Sequence, residues 1–437
     1  MNNAYLFAVF NALSFQVILN SPMLLYAKGL GASATVLGII AGMTPLLVIF
    51  QIPASAHVDR IGYRRFVLAG WGTRVAFIFG MALVPLTGVF LNATTQLVLM
   101  LSLLFGFNLS RGISSCAWLP WLTTLVPESL RGRYLVRDAA SVNVSSFVSF
   151  LLSAVCLAHN PQAWQFAVLF AFSGLMGAAS LVYLNRMPDA EPPAQPSGGK
   201  GRVPWLELSR MPGFRKLLRS VIVWFAGYGG LTAFTVVYLK TEALLPEGTI
   251  LAVTSVSFLG GLSSLFFLGS RLDHLGSKPV LRFSFVMWLV IVAGWLALAG
   301  GVAPVRLSFI LALQFFMGLF ASLVNMANTR LAMAVIPAMA RSHCFALYSV
   351  LTSLAMGLAP VLWGLLIDAV GERETVWLGV EWNRYAVFFA AVWLVLAGAF
   401  AAARALEEPK AASMEALLRE ILIQSPQRMW LRLWPRG

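Results

Sequence analysis

A chain of 437 residues that is 59% hydrophobic and only 11% charged is not a water-soluble globule, where charged residues make up about 25%. The formal net charge of +14 would suit a polyanion, but the arginines and lysines sit in short loops between apolar runs, which excludes a nucleic-acid-binding face. Cys116, Cys156 and Cys344 are odd in number and lie in or beside apolar segments, so they imply neither a disulfide framework nor a metal site.

A helix that crosses the hydrocarbon layer needs about 20 apolar residues. On that length the first half predicts helices at 3–26, 34–56, 64–88, 95–124, 138–158 and 162–185. The second half predicts them at 215–240, 248–270, 279–300, 305–336, 342–368 and 384–406. The N-terminal Met-Asn-Asn-Ala-Tyr lacks the basic region of a cleavable signal, so the first apolar run is expected to remain as a helix. The chain is thus expected to be an all-α integral membrane protein that includes the lipid bilayer among its partners.

Helix 1 carries Gln16 and Asn20 one turn apart. Helix 2 ends in a charged elbow, Ser55-Ala-His-Val-Asp59-Arg60-Ile-Gly62-Tyr-Arg64-Arg65, where Gly62 supplies a backbone position free of Cβ restrictions. Asp59 is placed to meet the positive end of a nearby helix or one of the arginines. The elbow recurs after helix 8 as Gly269-Ser-Arg-Leu-Asp273-His-Leu-Gly276-Ser-Lys278. A second echo pairs Val126-Pro127-Glu128-Ser-Leu-Arg131 with Ile336-Pro337-Ala-Met-Ala-Arg341 at nearly the same offset, which indicates a duplicated bundle.

Basic residues gather after the even-numbered helices and in the tail, while the opposite loops hold Lys28, Lys240, Arg306, Arg373 and Arg384. Positive loops stay on the cytoplasmic side, so both termini are expected in the cytoplasm of a cell inner (plasma) membrane protein. The expected divisions are a bundle at 1–187, a cytoplasmic linker with a surface helix at 188–214, a second bundle at 215–407 and an amphipathic tail at 408–437. In that tail Met414, Leu417, Leu418, Ile421 and Leu422 recur at helical spacing ahead of Trp430 and Trp434. Binding to the bilayer surface competes there with packing on the protein's own loops.

The doubled elbow resembles the major facilitator superfamily signature between its second and third helices, glycine-x-x-x-aspartate-arginine-x-glycine-arginine-arginine. The first copy has Ser55 at the leading glycine, and the second keeps it as Gly269. The resemblance covers nearly the whole chain apart from linker and tail. It implies two pseudo-symmetric six-helix bundles that rock about a central site. It also implies a cytoplasmic gate in which Asp59 faces the start of helix 11 near Arg341, with Glu128 and Arg131 nearby. Helices 1, 4, 7 and 10 would then line the cavity. A receptor that does not transport, and a lipid flippase, are the competing uses of the same fold.

No enzyme constellation, cofactor motif or nucleotide-binding loop is present, so a small solute is the expected ligand and a monomer the expected form. All 17 acids fall in loops, tails or helix ends, with Asp138 and Asp368 nearest the interior. Arginine does penetrate: Arg111 lies in mid-helix 4, Arg74 in helix 3 and Arg330 in helix 10. A charge at mid-bilayer costs at least about 2.5 kcal/mol, so it must face protein or water. Drug/proton antiporters of the superfamily carry an arginine in helix 4 followed by glutamine-glycine. Ser110-Arg111-Gly112 sets Arg111 at the glutamine and leaves Asn108 at the arginine. The proposed lining is completed by Trp224 and Tyr228 on helix 7, and by Gln314, Asn325, Asn328 and Arg330 on helix 10. An arginine at that depth with no acid in its sequence neighbourhood suits a small organic anion; a structural anchor to carbonyls is the competing role.

Overall fold

The computed structural model of the chain describes residues 2–126, 128–189, 211–267, 276–335 and 341–406. Twelve helical segments among them are long and apolar enough to cross a membrane. The first is broken: α1 (Asn2–Leu19) stops at Asn20 and α2 (Ser21–Gly29) restarts with Pro22 near its N-terminus. Proline lacks an N–H and favours the first turn of a helix, which sets the new start there. The second span is α3 (Ala34–Leu47), a 3₁₀ turn at Val48–Phe50 and α4 (Gln51–Ser55). The short α5 (Val58–Ile61) leads through Gly62 into α6 (Tyr63–Leu83), and α7 (Ala93–Leu125), α8 (Glu128–Cys156) and α9 (Ala163–Asn185) complete the first bundle.

The seventh span repeats the break of the first. Its two pieces, α10 (Pro212–Tyr228) and α11 (Leu231–Thr241), are separated at Gly229-Gly230, with Gly230 left-handed at φ +83°. The remaining spans are α12 (Glu247–Phe267), α13 (Ser277–Ala299), α14 (Leu307–Val335), α15 (Arg341–Val370) and α16 (Arg384–Arg404). A short hairpin, β1 (Thr375–Trp377) with β2 (Val380–Trp382), joins the last two.

The two elbows match in backbone as well as in sequence. Gly62 and Gly276 precede α6 and α13 with φ +86° and +82°, a region that side-chain-bearing residues rarely enter. Helix starts are sealed by polar side chains: Ser33 accepts from Val36 N, Asn92 from Thr95 N, and Asn383 from Tyr385 N and Ala386 N.

One buried apolar cluster runs through both bundles, from Tyr26, Phe107 and Phe150 in the first to Trp224, Trp288 and Phe389 in the second. A smaller one closes the elbow end of the first bundle around Phe7, Trp71, Trp121 and Tyr134. Large apolar side chains such as Val290, Leu362 and Leu394 point outward, as a lipid-facing surface requires. The bundles meet most closely along α3 and α15, at the end opposite the elbows (the far end). There a Cβ on Gly38 would stand 2.2 Å from the Pro360 carbonyl oxygen, and one on Gly42 2.3 Å from that of Gly357. Small residues permit that backbone approach, and dispersion rather than water exclusion holds such helices together in lipid. A parallel contact joins α8 to the start of α12, where Gly248 N donates to Ala158 O at 3.3 Å.

Candidate functional site

The two helix breaks face one cavity of about 360 Å³ between the bundles. Asn20 and Ser21 border it from the first break, and Tyr228, Gly229, Gly230 and Thr232 from the second. Thr44 on α3, Thr254 and Ser257 on α12, and Gln314 on α14 add polar groups. Phe150, Phe258, Met317 and Met356 form apolar walls. A mostly apolar recess with a few aimed polar groups is the usual form of a small-molecule site.

Local bonds orient the polar groups. Asn20 Nδ2 donates to Gln16 Oε1 at 2.5 Å, Gln16 Nε2 to Ser146 Oγ at 2.6 Å, and Ser146 Oγ to Val142 O at 2.6 Å. Gln16 therefore stands behind the wall and fixes the amide of Asn20. Thr44 donates to Asn108 Oδ1 at 2.9 Å, and Asn108 Nδ2 donates to Leu104 O at 3.0 Å, so Asn108 is buried and supports the wall from α7. Gln314 is 1% exposed, and its Nε2 finds no partner among the described residues. A buried donor left unmade costs about 1–3 kcal/mol, which a ligand acceptor in the cavity would offset.

Arg111 lies one turn from Asn108 toward the elbow end and is half-buried. The 33-residue α7 leaves it roughly 20 Å or more from either helix end at 1.5 Å per residue. Among the described residues its side chain meets neither a carboxylate nor a hydrogen-bond partner. Arg74 sits beside it in the first bundle's interior, with its guanidinium 4.6 Å from the Trp71 ring centre and 5.0 Å from that of Phe107. Those two rings hold Arg74 by cation–π contact.

The other expected lining residues separate. Trp224 stacks on Tyr228 at 5.1 Å but lies behind it, against Trp288. Asn328 is buried away from the cavity, its two amide atoms without a partner among the described residues, and Asn325 is exposed. Arg330 reaches Ser277 Oγ at 3.1 Å, at the start of α13.

At the elbow, Ser55 Oγ donates to Ile52 O at 2.7 Å, and Arg60 and Arg65 are exposed. Arg64 Nη2 reaches Asn185 through both its carbonyl and its Oδ1, the latter at 2.9 Å, tying the elbow to the end of α9. Lys278 opens α13 and is half-buried. The side chains of Asp59, Glu128, Arg131 and Arg341 lie outside the described residues, as do Gly269, Asp273, most of the linker and the tail.

Thr44, Thr232, Thr254 and Ser257 were absent from the expected lining. Hydroxyls within apolar spans usually bond their own helix, as Thr254 does to Ile250 O at 2.6 Å, and so give little signal in sequence. The paired breaks, Asn20-Ser21-Pro22 and Gly229-Gly230, were the signal available.

The sequence model of the Major Facilitator Superfamily matches residues 4–251 and again 234–434. A crystal structure of a point mutant of the nucleoside transporter NupG superposes with a TM-score of 0.70 at 10% identity, over 93% of this chain and 99% of that one. The inward-open xylose transporter XylE from E. coli gives 0.69 at 13% identity, over 95% and 98%. A POT family transporter in complex with a thioalcohol-conjugated peptide gives 0.68 at 12%, over 93% and 97%. No curated protein matches the chain by sequence.

Proposed function

The chain belongs to the Major Facilitator Superfamily and is a multi-pass secondary transporter, and from that premise we propose that it carries a small organic anion by alternating access. The observation that carries this reading is Arg111, deep in α7 without a carboxylate among the described residues. A guanidinium at that depth costs at least about 2.5 kcal/mol, and a substrate carboxylate or phosphate bound through two parallel hydrogen bonds offsets it. Arg111 is one turn below Asn108, which bonds the wall residue Thr44. The cavity then takes the neutral body of the substrate, between Asn20 and Gln314, while the charged group lies toward Arg111. The arginine-rich elbow end is cytoplasmic in this reading, with both termini, because basic loops stay inside. The protein acts as a monomer in an inner or plasma membrane.

A second reading rests on the lining itself: every described residue around the cavity is uncharged. A neutral polar solute fits that wall, and two of the structural neighbours are a nucleoside and a xylose transporter. Equilibrium binding of a solute panel to the purified protein separates the two. The anion reading expects carboxylates or phosphate esters to bind, and Arg111→Gln to weaken them at least about tenfold, the loss of one charge-assisted pair. Binding confined to neutral sugars or nucleosides, indifferent to Arg111→Gln, establishes the second reading instead.

A further inference from the structure

At the far end, outward in the proposed orientation, the last turn of α15 lays the Asp368 carboxylate on the first turn of α3 in the other bundle. Oδ1 accepts from Ala34 N at 3.0 Å, and Oδ2 accepts from Thr35 N at 2.8 Å and from Thr35 Oγ1 at 2.6 Å. The first N–H groups of a helix have no partner within it and carry the positive end of its dipole. Ser33 seals Val36 N of α3 from within the bundle; Asp368 seals Ala34 and Thr35 from across the seam.

Other charges face the same point. Lys28, at the end of α2, lies in the field of Asp368, Glu242 and Arg384, so a cation of the first bundle sits among charges of the second. Arg384 is itself held by Glu242 through Nη2 at 2.8 Å and Nε at 3.1 Å, and the Tyr385 hydroxyl also feels Asp368. Arg384 with Glu242 braces the second bundle internally, whereas the Asp368 hydrogen bonds cross between bundles.

We propose that Asp368 is the latch of the outer gate, a carboxylate on the α3 N-terminus that must be released before the cavity opens outward. It rests on alternating access and stands apart from the choice of substrate. The arrangement mirrors the role expected of Asp59. Asp59 follows the second span and is expected to face the start of the eleventh; Asp368 lies in the last turn of the eleventh and caps the start of the second. The same two helices then carry one carboxylate latch at each end, each holding one state.

The test uses full-length protein in lipid nanodiscs, with cysteines replaced and spin labels at Gly29→Cys and Arg373→Cys flanking the seam. Pulsed dipolar spectroscopy reads the share of molecules with the labels far apart. Asp368→Ala should raise the ratio of separated to close pairs about tenfold, as expected for charge-assisted bonds lost in one state only. Asp368→Asn, which keeps size and one acceptor, and Thr35→Val, which removes one of the three bonds, should each give a smaller rise. Glu374→Gln, an exposed charge on the same loop, should give none. The latch is overturned if Asp368→Ala and Asp368→Asn, both eluting as the folded protein, keep the wild-type distribution. It is equally overturned if Glu374→Gln shifts the distribution as far as Asp368→Ala.

Discussion

Alanine at Gly38 and Gly42 asks whether the α3–α15 seam is what keeps the far end shut. A Cβ at these positions would stand 2.2 Å from Pro360 O and 2.3 Å from Gly357 O. Both obstacles are backbone, so no rotamer change relieves them, and the helices must part by about 1 Å to restore ordinary contact. Overpacking of this kind costs about 1–3 kcal/mol per site. The gain in helix propensity, about 1 kcal/mol for Gly→Ala in water, applies to both states and cancels. Neighbouring sites do not add cleanly, yet even about 1.4 kcal/mol shifts the equilibrium about tenfold. The assay is labelling of a cysteine at Ala41, on the cavity wall, by an impermeant maleimide supplied from the far side. The background lacks Cys116, Cys156 and Cys344. Labelling should rise about tenfold in the G38A/G42A double variant. It should stay at the starting level in G72A, where an added Cβ meets nothing within 4 Å. A folded double variant with unchanged labelling would refute closure by this seam.

Other outcomes are equally open to measurement. Asp59→Asn should favour the state open at the elbow end, since a carboxylate near a helix N-terminus contributes up to about 2 kcal/mol when partly buried. Cysteines along the elbow-end halves of α7 and α14 should then label faster, and equal rates would remove Asp59 from the gate. A peptide of residues 413–434 should become helical on anionic vesicles and release as salt rises; indifference to vesicles would favour packing on the protein.

Much of the architecture was readable because a span advertises itself by length. All twelve apolar runs became helical spans, some of them broken, and the duplicated elbow reappeared as matching positive-φ glycines at 62 and 276. The breaks were not readable by the same rule. Hydropathy over 3–26 or 215–240 stays apolar through Asn20 and Gly229-Gly230, so each was expected as one helix, and the backbone turns there to line the cavity. The hairpin between α15 and α16 was missed because three-residue strands fall below any periodicity signal. Within the expected lining, helical spacing identified faces but not which neighbour each face meets. Asn20, Tyr228 and Gln314 border the cavity, Gln16 and Asn108 stand one hydrogen bond behind it, and Asn325, Asn328 and Arg330 turn elsewhere. The outer seam was hidden for another reason. Asp368 and Thr35 are 333 residues apart, and nothing local to either marks the other.

Flux across a membrane measures most directly whether a small organic anion that answers to Arg111 is transported. Purified protein in liposomes is given radiolabelled carboxylates, phosphate esters, sugars, nucleosides and organic cations. Saturable uptake of at least one anion is expected. Arg111→Lys should keep the preference for anions while raising KM, because charge survives but the planar fork is lost. Arg111→Gln should abolish the preference. Uptake of only a cation or a neutral molecule, or an Arg111→Gln variant that carries the anion at the wild-type rate, would rule out anion transport through Arg111.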